Sequence, residues 1–219
     1  YRMYSLDNSY SKEELLEWEK RLQRGLGTDR IEYTCELKYD GASISLRYYN
    51  GEFVQAVTRG DGYQGDEVTA NIRTIKSVPL KLTGNYPIDF FVRGEIILPL
   101  DGFAKMNQEL IEAGKLPYAN PRNTASGSLK LQDSRIVADR PLTCFLYFLA
   151  GDSLPVSSQF EALTKAREWG FMVPESAEKV NSIDAVFDFI TSWEQKRKSL
   201  PFEIDGIVIK VNSLFQQDE

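Results

Sequence analysis

Apolar residues recur along the chain with two periods. Between residues 11 and 26, Leu15, Trp18, Leu22 and Leu26 follow one helical stripe behind Ser11, with Glu14 three positions on and Gly25 and Gly27 at the end. The same period predicts a helix near 101–113, carrying Phe103, Met106 and Leu110 and stopped by Gly114. Another is expected over 158–169, capped by Ser157 or Ser158 and stopped by Gly170. A fourth spans 182–198, with Val186, Phe189, Ile190 and Trp193 inward and Lys196-Arg197-Lys198 at its charged end. Runs rich in β-branched and aromatic residues predict strands at 33–38, 43–49, 52–58, 89–98, 142–149 and 204–212. Asn50-Gly51 between two such runs predicts a two-residue hairpin, in which Tyr49 faces Glu52 and, unless a bulge shifts the register, Ala42 faces Arg59. Pro87, Gly114 to Pro117 and Gly151 to Pro155 read as surface loops. The mixed order of elements favours an α+β fold with mainly antiparallel sheets flanked by helices over a doubly wound parallel sheet.

Composition narrows the chemistry. The 219 residues are 42% apolar and 26% charged, the mix of a globular protein, with no run approaching the roughly twenty apolar residues of a membrane helix. The chain begins with Tyr1, carries no signal-peptide pattern and is read as part of something longer. Cys35 and Cys144 lie too far apart for a metal-spacing motif and are expected as two buried thiols in a reduced, cytoplasmic protein. Histidine is absent, which excludes histidine-driven serine or cysteine nucleophiles and imidazole zinc sites. Catalysis must then rest on carboxylates, lysine, arginine or a bound metal. A net charge of −6 disfavours a strongly basic coat but leaves room for a local basic groove.

Charged residues inside strand-like runs are the candidates. Glu36 and Lys38 share one face of an extended segment that turns at Asp40-Gly41, and the hairpin carries Arg59 towards that turn. Arg93 and Glu95 share a face of a later strand, and Lys210 stands among β-branched neighbours. Such charges are costly to desolvate unless they pair or meet a ligand. Each also has a bland explanation. Lys-x-Asp-Gly decorates many turns, Lys210 fits an edge strand, and Arg93 with Glu95 fits a structural ion pair. Residues 120–130 fit a polar loop, and Tyr147 and Phe148 fit a core.

Taken together, Ser5-Leu6-Asp7-Asn8, Lys38-Tyr39-Asp40-Gly41, Thr58-Arg59-Gly60-Asp61-Gly62 and Asn71-Ile72-Arg73-Thr74-Ile75 resemble the covalent nucleotidyltransferases. So do Asn120-Pro121-Arg122-Asn123, Gly127-Ser128-Leu129, Arg140-Pro141-Leu142 and Asp205-Gly206-Ile207-Val208-Ile209-Lys210-Val211-Asn212. Within that group the set is similar to the adenylation domain of bacterial NAD-dependent DNA ligases, over nearly the whole chain.

The resemblance implies the covalent nucleotidyltransferase fold, with residues 1–219 as one adenylation domain. It implies Lys38 as the nucleophile that attacks the α-phosphorus of NAD, releases nicotinamide mononucleotide and keeps AMP as a phosphoramidate. AMP then passes to the 5′-phosphate of nicked DNA before sealing. Lys38, Asp40 and Arg59 form the implied catalytic set. Ser5, Leu6, Glu36, Arg59, Glu95, Tyr147, Val208 and Lys210 line the nucleotide pocket, with Tyr147 stacking on adenine. Asn120, Arg122 and Lys130 contact DNA or support the site, although Lys130 stands where arginine is expected, which weakens a bidentate phosphate contact. Mg²⁺ is expected near Glu95 without a dedicated side-chain cluster, and zinc only in a module outside this chain. The nicotinamide-gripping segment, the oligonucleotide-binding fold, the helix-hairpin-helix and BRCT modules are likewise implied elsewhere. The expected protein is a cytoplasmic monomer with no membrane partner, and this piece alone should self-adenylate poorly and seal no nicks. A lysine is almost wholly protonated at neutral pH, so the chemistry needs a lowered pKa, for which Arg59 and Lys210 are the cationic candidates. Two rivals stand beside this: an ATP-dependent ligase or capping-type enzyme, and a nucleotide- or DNA-binding module without catalysis.

Overall fold

The computed structural model describes residues 11–60 and 63–219, together with the backbone of 2–4. Its strands are β1 (Arg2–Tyr4), β2 (Tyr33–Tyr39), β3 (Ala42–Tyr49), β4 (Glu52–Thr58), β5 (Asp89–Ile97), β6 (Thr143–Ala150), β7 (Glu178–Val180) and β8 (Ile204–Val211). The helices are α1 (Lys12–Leu26), α2 (Thr69–Ile72), α3 (Leu100–Glu112), α4 (Pro121–Leu129), α5 (Ser134–Ala138), α6 (Gln159–Trp169), α7 (Ile183–Lys196) and α8 (Leu214–Asp218). The strands form two sheets, ordered β1-β8-β2-β7 and β4-β3-β5-β6, and every pairing is antiparallel. The expected α+β class with antiparallel sheets is therefore the observed one.

Local signals placed most of these elements. Ser11 Oγ accepts from the Glu14 N–H at 3.2 Å, and α1 ends on Gly27 in the left-handed region. Ser158 and Ser182 cap α6 and α7 in the same way. Residues 120–130, open to a polar-loop reading, instead contain α4. Asn120 accepts from the Asn123 N–H and Pro121 takes the first turn, where its missing N–H costs nothing. Asn50 and Gly51 both have positive φ, as the tight hairpin demands.

Each sheet buries one face under helices. Tyr33, Cys35, Leu37 and Tyr39 of β2 join Leu15 and Trp18 of α1 and Val186 and Phe189 of α7 in one core. Ile44, Leu46, Phe53, Ala56, Val92 and Leu146 join Ala125 of α4 and Leu163 and Trp169 of α6 in the other. Phe145 reaches from the second sheet into the first core, 5.0 Å from the Tyr39 ring and 4.9 Å from Phe202. That contact ties the sheets together where β2 passes into β3 through Asp40-Gly41. Gly41 is required there, since a Cβ would lie 2.1 Å from the Ile96 carbonyl oxygen. Cys35 and Cys144 are buried, and burial pushes both thiols up to about 12, which makes them core residues as expected.

The hairpin register departs from simple counting. Tyr49 faces Glu52, but beyond Tyr48 the ladder shifts by one, so that Arg47 faces Gln55 and Ile44 faces Thr58. The reason is the odd spacing of Phe53 and Ala56, which both belong to the core and can share a face only if Val54 bulges. Continuing the shifted register sets Arg59 beside Ser43 rather than Ala42. A one-residue shift exchanges the faces of a strand, so the bulge turns Arg59 away from the core.

Candidate active site

The faces of β2 and β8 turned away from the core carry a cluster of charges. On β2, Thr34, Glu36 and Lys38 alternate with the core residues, and the register sets Lys210 opposite Thr34 and Val208 opposite Glu36. Glu36 and Lys210 are almost wholly buried, their side chains 6% and 4% exposed, with Lys210 Nζ 3.1 Å from Glu36 Oε1. Lys210 is not an edge residue, because β8 runs between β1 and β2. Burial pushes the Glu36 carboxyl above its ordinary value, opposed by Lys210 and by the Gln159 amide.

A second bulge supplies the acceptor that completes this pair. Leu146 and Leu149 of β6 both point into the core, so Tyr147 between them is looped out of the ladder with β5. Its carbonyl oxygen then accepts from Lys210 Nζ at 3.2 Å and Gln159 Nε2 at 2.9 Å. The half-buried Tyr147 ring lies 5.5 Å from Lys210 Nζ, and its hydroxyl meets Ser43 Oγ at 3.1 Å. Burial raises the Tyr147 phenol, the Ser43 hydroxyl pulls it back, and the charges of Glu95, Arg93 and the exposed Arg59 act on it as well.

A third bulge places the acidic partner of Lys38. Asp205 and Gly206 together oppose Lys38, with Gly206 at a φ of 134°. Lys38 Nζ lies 3.2 Å from Asp205 Oδ2, both side chains partly exposed. Next to it Arg122, on the first turn of α4, pairs with Asp40 at 3.6 Å. Glu95 accepts the Gly41 N–H and feels Arg122, Asp40 and Lys38; burial, the largest influence, raises its carboxyl to about 7. Arg93 stacks over Phe148 at 5.4 Å rather than fitting the simple ion-pair reading. Lys210, offered as a cationic neighbour for Lys38, is instead committed to Glu36 and Tyr147.

Two neighbouring groups result: Glu36, Lys210 and Tyr147, with Val208 opposite Glu36, and Lys38, Asp40, Glu95 and Arg122, the charges of Glu95 and Arg59 also acting on Tyr147. Asn120 acts as the α4 cap that presents Arg122. Lys130 stands exposed at the other end of α4, about 12 Å along the helix axis from Arg122. Ser5 and Leu6 lie outside the described residues, as do Asp61 and Gly62. Asp205 and Gln159 were missed as candidates. Asp205 sat inside a quoted motif, whereas nothing local marks Gln159.

Residues 1–219 match the family described as NAD-dependent DNA ligase adenylation domain. The chain belongs to that family. Among its relatives is a Flavobacterium johnsoniae protein named DNA ligase, 67% identical over 219 residues, covering 100% of this chain and 33% of that protein. Proteins of the same name from Flavobacterium psychrophilum and Christiangramia forsetii are 64% and 62% identical, with 100% of this chain and 33% of each relative covered. The adenylation-domain chain therefore spans about a third of the length of these curated relatives. No helix among the described residues is long and apolar enough to cross a membrane.

The raised Glu95 carboxyl gives a prediction free of catalysis. Its native value of about 7 stands above the ordinary 4.5, so the unfolded chain ionises first. The stabilising contribution is present below about pH 4.5 and is lost as pH rises through about 7. Glu95→Gln should match the wild type near pH 4 and exceed its stability at pH 8 by on the order of 2 kcal/mol, read by denaturant unfolding at each pH.

Proposed function

We propose that this chain is the adenylate-forming part of an NAD-dependent DNA ligase. The observation that carries the reading is the gathering of Lys38, Asp40, Glu95 and Arg122 beside the buried Glu36–Lys210 pair. The Lys38 amine attacks the α-phosphorus of NAD, a P–N bond forms, and the bond to the nicotinamide mononucleotide oxygen breaks. AMP is then transferred to the 5′-phosphate of nicked double-stranded DNA, and sealing releases it.

Each residue has a physical task in this reading. Asp205 orients the Lys38 ammonium, which must lose a proton before it attacks. Arg59 and Arg122 neutralise charge on the non-bridging oxygens. Tyr147 offers a half-buried ring for the adenine to stack on. Glu36 and Lys210 present an acceptor beside a donor, the complement of adenine's N6 amino group and N1.

Asp40 and Glu95 are near enough to influence one another, and no set of three acidic, cysteine or histidine ligands occurs among the described residues. Two carboxylates fit a Mg²⁺ held largely by substrate phosphates, where the ion would supply charge neutralisation at phosphorus. We further propose that residues 1–219 form one domain of a cytoplasmic monomer.

Intact mass of the full-length protein after incubation with NAD and Mg²⁺, and separately with ATP, tests the reading without DNA. An AMP-sized gain with NAD only, mapped to Lys38, is expected. A gain with ATP only moves the protein to the ATP-dependent class. No gain with either leaves a binding module.

A further inference from the structure

Gln159 is 1% exposed, yet its side chain is neither apolar nor part of any recognised motif. Its amide nitrogen donates to Glu36 Oε2 at 3.1 Å and to the Tyr147 carbonyl oxygen at 2.9 Å. Lys210 binds the other carboxylate oxygen, Glu36 Oε1, and the same carbonyl. The two donors are not equivalent. An ammonium on a flexible stem is a rotatable point charge that attracts a carboxylate without fixing its plane. A planar amide held at two points does fix it, and the terminal torsion of glutamate is otherwise broad.

The surroundings hold Gln159 in turn. It is the first residue of α6, and its own N–H donates to the Asn212 carbonyl oxygen at 2.8 Å. The Asn212 side chain accepts from the Phe160 N–H at 3.0 Å and from Thr34 Oγ1 at 2.7 Å. The start of α6 is thereby fastened to β2 and β8, the strands that carry Glu36 and Lys210. The acceptor at the far end, the Tyr147 carbonyl, is available because the bulge removed it from the ladder.

We infer that Gln159 is a positioning residue for base selection: it locks the Glu36 carboxylate in the orientation that accepts a hydrogen bond from a 6-amino purine. The inference rests on the reading of Glu36 and Lys210 as the adenine-edge pair. A 6-oxo purine presents an acceptor where adenine presents its amino group, and a protonated N1 where adenine accepts. A fixed Glu36 beside Lys210 therefore meets two mismatches, whereas a rotating carboxylate can turn to receive the N1–H.

The test compares NAD with nicotinamide hypoxanthine dinucleotide as donors in single-turnover adduct formation by the full-length protein. The rate constant and half-saturating concentration are measured for each. The wild type should prefer NAD by at least about tenfold, and Gln159→Met should erase about tenfold of that preference through half-saturation for NAD, with the saturating rate little changed. Should the methionine variant fail to fold, Gln159→Asn, whose amide is drawn back by one methylene, carries the same expectation. A preference that is unchanged while the melting temperature falls would reduce Gln159 to a packing role and overturn the inference. A wild type that does not discriminate, or forms no adduct, fails earlier and removes the adenine-edge reading itself.

Discussion

Lys38→Ala in the full-length protein should abolish the AMP adduct while leaving the fold intact. The two effects separate because Lys38 and Asp205 are both partly exposed, and a pair of that kind contributes only about 0–1 kcal/mol. Lys38→Arg sharpens the test. Arginine keeps the charge opposite Asp205 but stays protonated at any working pH, so it can bind the phosphates and cannot attack phosphorus. Both variants should retain a wild-type unfolding midpoint and show no mass gain with NAD. An adduct that persists in either would remove Lys38 as the nucleophile.

The largest effect on stability is expected at Lys210. Lys210→Met leaves the Glu36 carboxylate buried without its cationic partner, and losses of this type cost about 3–5 kcal/mol. The penalty should depend on pH with a definite sign. Glu36 already has a raised native value, and loss of Lys210 raises it further. Its contribution is therefore favourable below the ordinary carboxylate value and is lost as pH rises. Denaturant unfolding should show a small difference from wild type near pH 4 and the full penalty at pH 8. The double change Glu36→Gln with Lys210→Met should recover much of the loss, since no charge is left buried. A uniform penalty across this range would mean that packing of the lysine stem, not the charge, dominates.

The sequence was most informative where the signal is local. The serine caps of α1, α6 and α7, the glycine stops and the Asn50-Gly51 turn act within a few residues, so their elements appear close to where the pattern sets them. Within-sequence alternation also assigned Glu36 and Lys38 to one face. It was less informative at the bulges, although odd apolar spacing, as in Phe53 and Ala56 or Leu146 and Leu149, is a readable trace of them. The signal for α4 was present in Asn120-Pro121 and was outweighed by the polar residues that follow.

What the chain by itself determined is the four longest helices, six of the strands, the antiparallel class and the charged residues that are costly to place inside strands. What only the tertiary structure decided is who meets whom. Glu36 meets Gln159 across 123 residues and Lys210 across 174, and no local pattern specifies a contact at that separation. Three bulges also re-aim groups that regular ladders would place elsewhere: Arg59 away from the core, the Tyr147 carbonyl towards Lys210, and Asp205 towards Lys38. The physical reason is that hydrogen-bond ladders and helical periods are set by neighbours in the chain. The position of a charge in a cleft is set by how two sheets pack, and that depends on every side chain between them.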